Sequence, residues 1–230
     1  MTPLVLLPGM MCDARLWFPQ IAAFSGKRVV QTAPMNGEDI CDIATAILAD
    51  APPVFALAGL SMGGIVAMEI LRQAPERIER IALLDTNPLP ELPEVAARRE
   101  PQIVKVQQGD LIAVMRDEMK PNYLADGPDR SEILDLCMEM AQTLGPEIFA
   151  AQSRALQTRP NQVETLEASK IPTLILCGRD DRLCPIARHQ LMHDLMPHAE
   201  FTIIEGAGHL PTLEQPTETT AAIARWLEAS

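Results

Sequence analysis

The sequence predicts an α/β fold: a mostly parallel sheet of about six strands flanked by helices, with a helical cap inserted after the fourth strand. Three observations lead there. Short apolar runs alternate with helix-length amphipathic stretches, the rhythm of a parallel sheet wrapped by helices. Two of the runs, Val54–Ala58 and Thr173–Cys177, show no polar alternation and read as strands buried on both faces. Between about 87 and 165 the rhythm stops, and only apolar spacing of three and four residues remains.

By run length and β-branched content, strands fall at about 3–7, 28–32, 53–58, 80–85, 172–177 and 200–205. Helices fit about 15–25, 38–50, 62–74, 186–195 and 215–228, with Pro185 opening the fourth. The interruption starts at a proline cluster (Pro88, Pro90, Pro93). Its apolar faces are Ile103-Val104-Val106, Leu111-Ile112-Val114-Met115-Met119 and Ile133-Leu134-Leu136-Cys137-Met140. A second small helical domain is the plainer reading. The return to strand rhythm at Ile171 favours a lid instead, so residues 1–86 and 166–230 form the core and 87–165 the cap.

The bulk properties narrow the function. A chain of 230 residues with 47% apolar content can bury one substantial core. A net charge of -12 argues against nucleic acid and anionic membrane as partners. It also disfavours a highly anionic substrate, unless a local basic pocket overrides the average. The five cysteines (Cys12, Cys41, Cys137, Cys177, Cys184) are odd in number and lack C-x-x-C spacing, so free thiols in a reducing cytoplasm are expected. Met1–Gly9 has no basic n-region, and its apolar run is too short for a signal peptide or a membrane span. No apolar helix stands out as an interface, which suits a monomer or a weak homo-oligomer.

Chemistry is concentrated at Gly59-Leu60-Ser61-Met62-Gly63-Gly64, between a buried strand and an amphipathic helix. A serine on a sharp strand-to-helix turn is strained, and the positions two residues to either side must be nearly free of side chain. Gly59 and Gly63 meet that need. The helix that follows aims its unpaired N–H groups at the reacting centre. A phosphate loop would need Lys-Ser/Thr after the glycines, and none follows.

Serine needs a base, and the base needs an anion to orient it. Of the four histidines only His209 lies in a strand-end loop, where Gly206 and Gly208 let the chain turn back. His189 and His193, four apart on a helix, lack the glutamate of H-E-x-x-H and read as solvated positions rather than metal ligands. His198 sits in a turn after Pro197, with no evident role. An acid is offered by Gly178-Arg179-Asp180-Asp181-Arg182-Leu183-Cys184-Pro185, where two aspartates compete.

These motifs resemble the α/β-hydrolase superfamily over nearly the whole chain. The resemblance implies a serine hydrolase, with nucleophile, acid and histidine in the chain order Ser61, Asp181, His209. Its acid motif G-x-x-D-x-x-x-P selects Asp181, leaving Asp180 to cap or to pair with an arginine. Asp85 is a third candidate, because some members carry the acid after that strand. The oxyanion hole would use the backbone N–H of Met62 and of Met10, the latter where relatives show His-Gly-x and this chain has Pro8-Gly9-Met10. Two departures imply a compact member. The antiparallel hairpin before the first strand is expected to be missing, and Gln31–Gly37 replaces the usual D-x-x-G-x-G-x-S loop.

The substrate-binding wall is expected to be apolar: Met11 and Trp17, with Met115, Met119 and Tyr123 from the cap, although helix packing is the simpler role for most cap methionines. The substrate is then a small carboxylic ester or thioester with an apolar acyl part, cleaved through an acyl-enzyme without metal or other cofactor. A carbon–carbon bond hydrolase of the same superfamily and a non-catalytic ligand-binding protein are the alternatives.

Overall fold

The computed structural model describes residues 1–229. The strands are β1 (Leu4–Leu7), β2 (Val30–Thr32), β3 (Phe55–Leu60), β4 (Ile78–Leu84), β5 (Thr173–Gly178) and β6 (Glu200–Ile204). They pair in the order β2-β1-β3-β4-β5-β6, and every pairing is parallel. The chain leaves β1 for β2 at one edge, then returns to β3 on the other side of β1. That reversal opens a crevice at the carboxyl ends of β1 and β3, the usual ligand position in an open parallel sheet.

Strands β1, β3 and β5 are buried at every residue, as expected of runs without alternation. Side chains then sort by parity: Val5, Leu7 and Leu57 enter one buried cluster, Leu4, Leu6, Ala56 and Ala58 the other. β3 lies further along than the apolar run suggests. Val54 is exposed, and pairing continues to Leu60 against Leu84. The ladder therefore runs right up to Ser61.

Helices α1 (Phe18–Phe24), α2 (Ile40–Asp50) and α3 (Met62–Gln73) link the early strands. Asp39 caps α2 by accepting from the Cys41 and Asp42 N–H groups. Between β4 and β5 there is no strand among the described residues. This stretch holds α4 (Pro93–Lys105), α5 (Leu111–Ala113) between two wide π turns, α6 (Arg130–Gln157) and α7 (Val163–Ala168). α6 breaks at Gly145, whose φ is +83°, ahead of Pro146. Ile103, Val106, Val114 and Phe149 from this stretch share one buried cluster with Val5 and Leu57 of the sheet. The remaining helices are α8 (Ile186–Leu195), α9 (Pro211–Glu214) and α10 (Pro216–Glu228).

Helix α8 departs from the sequence expectation at His189. His189 is fully buried rather than solvated, and its Nε2 accepts the Thr86 N–H at 3.1 Å. Burial, outweighing the nearby Asp181 charge, holds it at about 4, so it is neutral and free to accept. The polar string around it, Arg-His-Gln, hides that face. His193 is half-buried with its ring against Phe201.

Candidate active site

Ser61 leaves β3 with φ 56° and ψ −116°, a strained conformation for a residue with a side chain. It is held there on three sides. Its N–H donates to the Leu84 carbonyl at 2.9 Å, its carbonyl accepts from Gly64 and Ile65, and Thr86 Oγ1 donates to that same carbonyl at 2.8 Å. A Cβ on Gly59 would lie 2.2 Å from the Gly63 carbonyl oxygen, and one on Gly63 would lie 2.2 Å from that of Leu7. The two glycines are thus places where β1, β3 and α3 meet main chain to main chain.

His209 is reached from β6 through Gly206, whose φ is +67°. Its Nδ1 is 2.9 Å from Asp181 Oδ2, and its N–H donates to the Tyr123 carbonyl at 2.6 Å. A Cβ on Gly208 would strike the Ala125 nitrogen at 2.6 Å, so the segment before α6 lies directly on this loop. Glu214 braces both by accepting from the N–H groups of Ala125, Gly208 and Leu210. Asp181 Oδ1 accepts from Leu183 and Cys184. Burial pushes the Asp181 carboxyl up, but the His209 charge and these hydrogen bonds outweigh it and hold the group at about 2.

The two other aspartates stand differently. Asp180 is exposed and, among the described residues, pairs with no arginine; Arg179 is taken by Glu205 instead. Asp85 is fully buried with φ 45°, and its Oδ1 accepts the Gly178 N–H at 2.9 Å. Burial first, and the Asp181 charge second, push its carboxyl well above the usual range. Of the three, Asp181 is the one bonded to His209.

Met10 and Met62 both border the cavity, and among the described residues their backbone N–H groups have no protein acceptor. A Cβ on Gly9 would come within 3.4 Å of Ser61 Cβ, which places the β1 loop against the serine. The loop is fixed from a distance. Met11, at φ 56°, donates its N–H to Gln152 Oε1 at 2.8 Å, while Gln152 Nε2 donates to the Met35 carbonyl. Gln152, Glu214, Thr86 and His189 escape sequence reasoning. Each is a polar residue within a helix or loop whose partner lies far along the chain.

Ser61 and His209 face one cavity of about 560 Å³. Met10, Met62, Met119 and Tyr123 line it, but Met11, Trp17 and Met115 do not. Those three are about 1% exposed or less and fill the packed core, where their bulk is needed to close space beneath the loops. The wall is also far from apolar: five arginines line it, against two glutamates. Asp181, Cys184 and His209 lie close enough together to suggest an ion site. Both Asp181 oxygens are already engaged, and burial pushes the Cys184 thiol well up, so the donor set suits a hydrogen-bonded pair better.

The alpha/beta hydrolase family profile matches residues 4–223. The chain belongs to the alpha/beta hydrolase family. The hydrolase fold expected from Ser61 and its setting is therefore met. The pimeloyl-[acyl-carrier protein] methyl ester esterase of Nitrosomonas europaea is 23% identical, over 94% of this chain and 91% of that protein. The enzyme of the same name from Klebsiella pneumoniae is 27% identical, over 93% and 88%. A malate-bound thermophilic esterase from Thermogutta terrifontis superposes with a TM-score of 0.90 at 27% identity, covering 99% of this chain and 90% of its own. An enol-lactonase from Burkholderia xenovorans LB400 gives 0.87 at 22%, covering 99% and 92%, a likeness of fold. Among the described residues no helix is long and apolar enough to cross a membrane.

Proposed function

We propose that this alpha/beta hydrolase is a serine esterase of small carboxylic esters or thioesters, with Ser61, His209 and Asp181 as its catalytic triad. The observation that carries the reading is the 2.9 Å pair between His209 Nδ1 and Asp181, beside a cavity that Ser61 and His209 share. Ser61 Oγ attacks the ester carbonyl and gives its proton to His209 Nε2. Asp181 keeps the imidazole oriented and stabilises its cationic form. Charge building on the carbonyl oxygen is met by the N–H groups of Met62 and Met10. Collapse expels the alcohol or thiol, protonated by His209, and a water then releases the acid by the reverse sequence.

The named esterases among the relatives support this class, and the enol-lactonase acts within it, since a lactone is a cyclic ester. The helices between β4 and β5 act as the cap that covers the ester. The five free thiols suit a reducing cytoplasm. The test is labelling by a fluorophosphonate together with hydrolysis of a p-nitrophenyl acyl series. Labelling that vanishes in Ser61→Ala, with turnover vanishing alongside, is expected. Full labelling of His209→Ala would sink the activated-serine mechanism.

A further inference from the structure

In a chain of net charge -12, the cavity beside Ser61 gathers positive charge. Arg99 and Arg159 share the buried carboxylate of Glu91, with Arg159 Nε also donating to the Leu89 carbonyl. One carboxylate thus answers two guanidiniums whose side chains are only 12% and 10% exposed. Arg188, half-buried on α8, has no side-chain acceptor among the described residues, and neither does Arg182 in the Asp181 loop. Burial, together with the repulsion of Arg99 and Arg188, pulls Arg159 below its ordinary value despite Glu91, so these groups crowd one region. Like charges held together behind a low-dielectric wall are costly unless an anion joins them. Guanidiniums suit a carboxylate better than a lysine would, because two parallel N–H groups fit its two oxygens.

We infer that the substrate carries, besides its ester, a free carboxylate a few atoms from the scissile carbonyl, held by Arg159 and Arg188. The site would take half-esters of small dicarboxylic acids in preference to neutral esters. This rests on the serine-esterase reading for the reaction, but not for the binding, and the test separates the two. It also revises the apolar wall expected from the sequence. The arginines come from three distant stretches, and an average charge of the opposite sign masks them.

Ser61→Ala protein is titrated calorimetrically with methyl hemiesters from succinate to adipate, with their dimethyl esters, and with a phosphate-bearing methyl ester of like length. At least one hemiester is expected to bind about tenfold or more tighter than its diester, with affinity falling as salt rises. In Ser61→Ala/Arg188→Gln that ratio should drop toward one. Equal affinities, no detectable hemiester binding, or a ratio untouched by Arg188→Gln overturns the inference. Tighter binding of the phosphate ester overturns the carboxylate assignment. Hydrolysis by the unsubstituted protein is scored separately. Hemiester binding without turnover would refute the esterase reading alone, and equal turnover of both esters would refute the carboxylate alone.

Discussion

The floor and the wall of the cavity are built by different means. On the floor, Ser61 is held by main-chain fit: Gly59 and Gly63 let β1, β3 and α3 approach until hydrogen alone can stand between them. On the wall, the geometry comes from side chains that reach across the sequence. Gln152 holds Met11 from 141 residues away, and Glu214 holds Ala125 from 89. A main-chain fit leaves a local pattern of glycines. Long-range polar pairing leaves none, so the wall is both less legible and easier to vary.

The widest gap between the two should appear in rate. Ser61→Ala is expected to lower kcat on a p-nitrophenyl ester by about 10⁴-fold or more while circular dichroism stays unchanged. Next comes stability of the floor. Gly63→Ala drives a methyl group into the Leu7 carbonyl, and a loss of about 3 kcal/mol or more is expected in urea unfolding. A loss under about 1 kcal/mol would show that the main-chain fit has slack. Gln152→Leu should cost about 1–3 kcal/mol, since it leaves the Met11 N–H and the Met35 carbonyl unpaired. If Gln152 holds the oxyanion loop, kcat should fall with KM nearly constant.

Two buried aspartates at adjacent strand ends offer a subtler probe. Asp181 is depressed to about 2, so its contribution is present above the unfolded value of about 3.9 and is lost as pH falls through 2. Asp85 is raised, so the native state holds a proton that the unfolded chain gives up. Stability then falls as pH climbs above about 3.9, by about 1.4 kcal/mol per pH unit while Asp85 stays protonated. Asp85→Asn should flatten that decline between pH 4 and 7, as read by thermal melts. An unchanged slope would mean Asp85 is ionised. The smallest effects belong to the methionines. Met115→Leu should cost less than about 1.5 kcal/mol and leave KM alone, whereas Met119→Ala, at the cavity, should shift KM.

The strand positions, the serine turn and the histidine loop are legible in the sequence because each rests on a local rule, whereas the order of the strands in the sheet is not. Val54–Ala58 lacks alternation because helices cover both faces of β3, and Ser61 announces itself through flanking glycines. For the acid, the motif of the resemblance selects Asp181 and keeps Asp180 and Asp85 as alternatives; the structure pairs His209 with Asp181. Met11, Trp17 and Met115 were misplaced because apolar residues near a site look alike whether they face the ligand or the core. His189 hides for the converse reason: it is a polar residue sealed inside, where its Nε2 accepts from the Thr86 N–H.

The helices between β4 and β5 that line the cavity have a consequence for traffic. Ile103, Val106, Val114 and Phe149 are interlocked with sheet residues in one continuous cluster. Swinging these helices away would bare that cluster to water, at about 25 cal/mol for every Å² of apolar area exposed. A wide-opening flap is therefore an expensive door. Exposed guanidinium side chains at the cavity, such as Arg98 and Arg182, carry no such cost, because displacing them unpacks no apolar cluster. Turnover would then be gated by side-chain motion at the doorway, with the building left standing.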